Sequence, residues 1–336
     1  MSGFPQWQGL PYFPISLYYH YLFGEKVWKV PVSTATTCPN RDGIRGMTVC
    51  NFCDEWGSAA YPQHREEHLS SQIALNKEHL RKRYNAHKFL VYFQAYTNTF
   101  SKTQTLEKQI DIALKNKDVV GVVIGTRPDC ISDAVFELWN RTLKKTFVSV
   151  ELGVQSFDED QLIWMHRGHT AKLAIKSIYR IREACPDLDL GIHLMFGLPG
   201  ETREQIKNFS LLTNQLPINN VKLHNLHVLK NTPLELEYNA GLFRPISKEE
   251  YADRVIDFLV YLNPEISVHR LTAVASRHDE LVAPAWAGNK MASYQYVLDR
   301  FKERMAYQGQ EFQGHLVSDV ARSLSSLQNL NTANAL

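Results

Sequence analysis

The feature that most constrains this chain is an alternation. Apolar runs rich in β-branched residues recur near Val27–Val32, Phe89–Ala95, Val119–Gly125, Phe147–Val154, Leu188–Phe196 and Val221–Leu229. Between them lie stretches of helical period, roughly Glu66–Ala86, Thr105–Lys117, Ser132–Lys144, Thr170–Ala184 and Glu201–Gln215. Six strands, each followed by a helix or crossover, read as repeated βα units with a parallel sheet, because each crossover helix must cover the strands it joins. Helices are also expected near Lys248–Leu262 and Met291–Gln308, with a strand at Ser267–Leu271. The expected organisation is an aromatic-rich segment (1–26), a βα core (27–235), a C-terminal α/β extension covering it (236–322) and a polar tail (323–336).

The strand faces say what the sheet encloses. Along Phe147–Gln155 one face is Val148, Val150, Leu152 and Val154, and the other is Ser149, Glu151, Gly153 and Gln155. Leu188–Phe196 alternates the same way, with Asp189, Gly191, His193 and Met195 opposite the leucines and Ile192. An apolar face suits outer helices. A polar face must meet water or a ligand, which favours a barrel left open around a polar ligand. An open antiparallel sheet with one solvated face is the competing reading.

Five cysteines in 336 residues, an odd number, argue against a disulfide framework. Cys38, Cys50 and Cys53 are clustered as C-x11-C-x2-C in a segment rich in turn residues. Three thiolates without an evident fourth fit an iron–sulfur cluster that keeps one iron open. They also fit a zinc site completed by His64 or His68, or an unliganded loop. Their position after the first strand favours the ligand reading, since βα barrels bind ligands at strand C-terminal ends. The net charge, 37 basic minus 35 acidic residues or +2, neither demands nor excludes a nucleic-acid partner. No signal peptide or membrane span is apparent, so a cytoplasmic protein without membrane association is expected.

The cysteines, the aromatic Phe52 before the third and the βα series resemble the radical S-adenosylmethionine (SAM) superfamily. The usual spacing there is C-x3-C-x2-C. The wider gap resembles the YhcC/YtqA-like subgroup, as do further motifs: Tyr92–Phe100, Gly125–Cys130, Glu151–Ser156, Arg167–Thr170, His193–Gly200, Lys222–Lys230 and His269–Thr272. Several of these also resemble the radical SAM domain of the Elongator catalytic subunit, which modifies wobble uridine in tRNA.

The resemblance implies a partial (β/α)6 TIM-like barrel and a [4Fe–4S] cluster on Cys38, Cys50 and Cys53 with SAM on the open iron. It also implies a flavodoxin- or ferredoxin-type electron donor. Phe52 would lie beside SAM. Ala95 and Tyr96 would bind its amino group through backbone, Glu151 its ribose hydroxyls, and Gln155 its methionine part or the substrate. Arg167 matches a carboxylate, and Gly197 would allow close backbone approach. Leu226, His227 and Val228 are candidates for the adenine edge. His193, Arg127 and Asp129 are the candidate catalytic or substrate-contacting residues, with His224 and Cys130 near them.

Plainer readings stand beside these. Glu151 could form an ion pair, Arg167 could cap a helix, Gly197 could serve a turn, and the histidines could be core residues. Cys185 reads as structural. Lys77, Arg81, Lys82, Arg83 and Lys88 form a basic run that fits RNA phosphates or a solvated helix face. Arg270, Arg277, His278 and Lys290 are candidates for a substrate cover. The expected activity is reductive cleavage of SAM and hydrogen abstraction, with tRNA as substrate and carboxymethylaminomethyluridine converted to aminomethyluridine. The alternatives are the same chemistry on a small metabolite or peptide, and a non-catalytic zinc-stabilised RNA-binding module.

Overall fold

A computed structural model describes residues 7–44, 48–57, 67–275 and 278–314. His64, Arg277 and the tail from 323 lie outside these. The elements in order are α1 (Ile15–Phe23), β1 (Val27–Ser33), α2 (Leu69–Tyr84), β2 (Lys88–Gln94), α3 (Thr103–Leu114), β3 (Val119–Thr126), α4 (Asp133–Leu143), β4 (Phe147–Gln155), α5 (Glu159–Trp164), α6 (Ala171–Ala184), β5 (Asp189–Phe196), α7 (Arg203–Thr213) and β6 (Asn220–Asn225). Then follow β7 (Val228–Leu229), α8 (Pro233–Asn239), α9 (Lys248–Tyr261), β8 (Ser267–Val268), β9 (Leu281–Ala283) and α10 (Lys290–Glu303).

Strands β1 to β6 and then β8 form one seven-stranded sheet in that spatial order, parallel throughout. It curls into a half-barrel with helices outside. The sixth apolar run differs from its expected form. It does not continue as one strand but breaks after Asn225, and β7 turns away to pair antiparallel with β9. The Ser267–Leu271 strand is present as the short β8, and it extends the main sheet.

The alternation along the strands decides the layers. Val148, Val150, Leu152 and Val154 are fully buried in the main core, with Ile178 and Ile181 of α6 among the same packed residues. The opposite face of β4 looks into the lumen. There Glu151 is registered between Gly125 of β3 and Gly191 of β5, and His193 sits beside Lys222 of β6. Glycine neighbours leave room around the Glu151 side chain.

The helices begin where sequence signals place them. Thr170 and Thr202 accept hydrogen bonds from the third residue of α6 and α7, and Ser247 with Glu250 forms a reciprocal capping box on α9.

The N-terminal segment closes one end. Tyr19 of α1 stacks edge-on against Phe147 at the start of β4, and Tyr18 donates to Asp189 at the start of β5 (2.7 Å). Val268 donates its amide to Phe13 (2.8 Å). Among the described residues no helix is long and apolar enough to cross a membrane.

Candidate active site

A cavity of about 250 Å³ fills the lumen. Its lining brings together most of the residues singled out from the sequence: Cys38, Cys50, Phe52, Cys53, Ala95, Tyr96, Arg127, Glu151, Gln155, Arg167, His193, Leu226 and His227. Three do not line it. Gly197 faces a second cleft with Arg244 and Ile246. Val228 is sealed in an apolar cluster with Leu226 and Leu234. Asp129 acts through Arg127, gripping its guanidinium at 2.9 and 3.0 Å. His68 sits at the N-cap of α2 rather than in the cavity.

The cysteines sit at one end, in the loop after β1. Cys50 is buried, and its sulfur accepts from Asn40 Nδ2 (3.2 Å) and Arg167 Nη1 (3.5 Å). Arg41 reaches Cys53 Sγ (3.8 Å) and also the carbonyl of Asp54. Burial and then the neighbouring Cys50 push the Cys53 thiol up to about 12, against the pull of Arg41. Arg167 donates Nη2 to the Gly153 carbonyl (2.7 Å) rather than capping α5, and Arg127 donates to the Arg167 carbonyl. Arg41 carried no pattern signal, because an arginine in a turn-rich loop resembles any exposed one.

The backbone around this end is unusual. Ala95, Tyr96 and Gln155 have φ of 74°, 50° and 73°, a left-handed region disfavoured for residues with a Cβ. All three sit at strand C-terminal ends and line the cavity. Strain of this kind is retained where surrounding structure holds it, often at a binding site. Several buried polar atoms there have no hydrogen-bond partner among the described residues: Asn40 Oδ1, Gln155 Oε1, Arg167 Nε and His227 Nδ1. Unpaired buried polar atoms are costly, and a ligand would satisfy them.

Glu151 lies in the lumen away from the cysteines. It is 1% exposed and accepts from Tyr92 (2.8 Å), Lys222 (2.8 Å), His193 Nε2 (2.6 Å) and Lys29. Burial alone would raise its carboxyl, but Lys222 and Lys29, then His269 and His193, hold it well below the ordinary range. The ion-pair reading of this residue is the one the geometry supports, because its acceptor positions are occupied by these donors.

Burial pulls His193 down to about 4 and Lys222 to about 8. Behind them His269 donates to Asn220 Oδ1 (2.6 Å), and Asn220 donates to Asp189 (3.1 Å). Arg270, considered from the sequence for a substrate cover, lines the cavity. Lys29, Tyr92 and Lys222 were not singled out individually from the sequence, though they could have been found, since each lies on the polar face of its strand.

The basic run on α2 does not face the cavity. Lys77 is buried against Asp118 (2.5 Å) and Asn116, Arg81 also pairs with Asp118, and Lys82 pairs with Glu78 (3.3 Å). These charges are largely neutralised, so the RNA-phosphate reading of this run is not supported.

Comparison with known proteins agrees with this geometry. Residues 32–212 match the radical SAM superfamily model, and residues 218–303 match the radical SAM C-terminal domain. The chain belongs to the radical SAM superfamily. YtqA of Bacillus subtilis is 31% identical over 291 residues, spanning 87% of this chain and 89% of that protein. This sets the chain beside the YhcC/YtqA-like members of the superfamily. A tRNA uridine(34) acetyltransferase of Methanocaldococcus infernus is 31% identical over 169 residues, 49% of this chain and 30% of that protein. The solved structure of M. infernus Elp3 with an N-terminal deletion superposes with a TM-score of 0.63 at 19% identity, covering 84% of this chain and 64% of that one.

The radical SAM family implies a [4Fe–4S] cluster and SAM, and the residues present fit both. Among the described residues, no three His, Cys, Asp or Glu side chains converge as a single metal ion would require. The three cysteines line the cavity together, as suits a cluster that would take each thiolate on a separate iron. Of the two histidines considered for a closed zinc site, His68 sits at the N-cap of α2 and His64 lies outside the described residues. The unpaired polar groups of Gln155, Arg167 and His227 and the left-handed strand ends line the same cavity as the three cysteines.

Proposed function

We propose that this radical SAM enzyme acts on a modified wobble uridine of tRNA, converting carboxymethylaminomethyluridine to aminomethyluridine. The observation that carries the radical part is the placement of Cys38, Cys50 and Cys53 at one end of a lumen whose other end holds a cationic polar network. The likeness to the tRNA uridine(34) acetyltransferase supports the tRNA part. When bound, the cluster and SAM would supply a radical that takes a hydrogen atom from the carbon between amine and carboxylate. With SAM as the two-electron oxidant, reduced to methionine and 5′-deoxyadenosine, the substrate would pass to an imine. Water would cleave the N–C bond of that imine, leaving the amine on the uridine and releasing the two carbons as glyoxylate.

The chain's own residues hold, orient and exclude water. Cys38, Cys50 and Cys53 take the cluster, with Arg167 and Asn40 supporting Cys50. The Ala95–Tyr96 backbone and Gln155 receive the amino-acid end of SAM, while Leu226 and His227 border its adenine. Phe52 keeps water from that end. Arg127, braced by Asp129, positions the loop that carries Arg167. His193 holds a hydrogen bond to Glu151 and stays neutral, so it serves as a polar wall of the substrate chamber. Reduction comes from a flavodoxin- or ferredoxin-type donor.

The test is anaerobic reconstitution with iron, sulfide, reductant, SAM and bulk tRNA, followed by nucleoside mass spectrometry. The expected result is loss of carboxymethylaminomethyluridine, gain of aminomethyluridine and formation of 5′-deoxyadenosine. SAM cleavage with every tRNA nucleoside unchanged would move the substrate to a small metabolite or peptide. A colourless protein with stoichiometric zinc would refute the radical reading.

A further inference from the structure

Three cations converge on the inner part of the lumen, and one carboxylate answers them. Lys29 and Lys222 both bind Glu151. Arg270 adds a third positive charge, close enough to pull down the affinity of Lys222 and His193 for protons. Asp189 does not restore the balance, because burial raises its carboxyl and Tyr18 and Asn220 already bind it. His193, His224 and His269 are each pulled below the ordinary histidine range, first by burial, and carry no compensating charge. The other acids on the lining, Asp54 and Glu280, belong to the cysteine loop and the turn before β9.

Arg270 is the informative member. Among the described residues no carboxylate pairs with it directly, and Glu151 acts on it only at longer range. Its Nε donates to the Leu223 carbonyl (3.4 Å) and its Nη2 to the neutral His224 ring (2.6 Å). Among the described residues its Nη1 makes no hydrogen bond, and the side chain lines the cavity. A guanidinium in a low-dielectric chamber without a counter-ion is costly, and a ligand that brings an anion offsets that cost. Its planar fork suits a carboxylate.

We propose that the inner lumen is an anion pocket in which Arg270 and Lys222 clamp a carboxylate of the substrate. This rests on reading the cavity as the active site, and it deepens that reading. The carboxymethylamino substituent bears such a carboxylate, and the aminomethyl product does not. The pocket therefore selects the substrate and releases the product.

The test titrates anaerobic, cluster-loaded enzyme with the nucleosides 5-carboxymethylaminomethyluridine and 5-aminomethyluridine by calorimetry. Wild type should bind the carboxylated nucleoside at least about tenfold more tightly, the scale of a charge-assisted hydrogen bond. Arg270→Gln should erase the preference and Arg270→Lys should restore part of it, with iron content and circular dichroism reporting integrity. If Arg270→Gln loses its cluster, Lys222→Gln is the second variant, with the same expected loss.

Equal affinity for both nucleosides, binding of neither, or an unchanged preference in a folded variant would overturn the proposal. So would stronger competition by inorganic phosphate than by acetate. A wild-type preference that persists while tRNA nucleosides remain unchanged would remove the tRNA assignment and leave the anion pocket standing.

Discussion

Lys222 of β6 donates to Glu151 of β4 across the lumen at 2.8 Å, passing over the intervening strand that carries His193. The pair ties two non-adjacent strands together inside the half-barrel. Removing the carboxylate leaves Lys29 and Lys222 buried without an acidic partner. Glu151→Gln should therefore lower stability by about 3 kcal/mol, as expected for breaking a buried pair on one side. Urea denaturation measures it. A change under about 0.5 kcal/mol, the usual range for surface substitutions, would mean the network is solvated.

The same lysine gives a pH signature. Its ammonium is pulled from 10.5 to about 8 by burial, against the pull of Glu151. The unfolded chain keeps this proton up to about 10.5 while the folded chain releases it near 8. Between those values the unfolded state binds more protons, so stability gains up to about 1.4 kcal/mol per pH unit as pH rises. The groups facing Lys222 are Glu151, Tyr92, Lys29, His193 and Arg270. Lys222→Met should remove this slope. Affinity for the carboxylated nucleoside should also fall as pH passes 8, and a flat profile from 7 to 9 would contradict it.

Gly191 is packed too closely for any side chain. A Cβ there would stand 1.9 Å from Asn220 Oδ1, the acceptor for His269. Gly191→Ala should cost about 2 kcal/mol through overpacking and should disturb the histidine network. Thermal unfolding and the imidazole proton signals of His269 check the two parts separately.

Cys38→Ala should lose cluster iron while the sheet stays folded, because its loop contributes no strand to the core. Iron analysis and circular dichroism are read together. Retention of about four irons per chain, or retained 5′-deoxyadenosine production, would exclude Cys38 as a ligand.

Gln155→Ala should weaken SAM binding by about tenfold, the scale of losing a hydrogen bond to a charged group. Its Oε1 is buried and has no hydrogen-bond partner among the described residues. Equilibrium dialysis of the cluster-loaded variant measures this, and an unaltered dissociation constant would take Gln155 out of the SAM site.

Much of this architecture was legible because a strand has only two faces. The polar set Ser149, Glu151, Gly153 and Gln155 was enough to place β4 with one side toward a ligand, and Asp189 to Met195 repeated the message on β5. The same rule applied to Lys29 and Lys222, yet a single lysine in an apolar strand gives no hint that its partner lies 122 residues away for Lys29 and 71 for Lys222. Glu151 was legible as a lumen residue, but its occupancy by four donors depends on strands β1, β2, β5 and β6 curling together. The break after Asn225 was not legible, since Leu226, Val228 and Leu229 continue the apolar run. What turns β7 aside is its pairing with β9, more than fifty residues later. The basic run on α2 misled in the opposite direction: Lys77 looked exposed beside its neighbours, and its counter-charge, Asp118, lies forty-one residues on.

The N-terminal segment sets a limit on reach. Tyr18 and Tyr19 close the lumen at the strand starts, while the cysteines occupy the opposite end. A substituent entering past the cysteines is thus measured against a fixed stop. With Arg270 as the proposed anion site, the floor would work as a ruler: a side arm of the right length would bring its terminal charge to Arg270, a shorter one would fall short of it, and a longer one would leave its base outside the lumen.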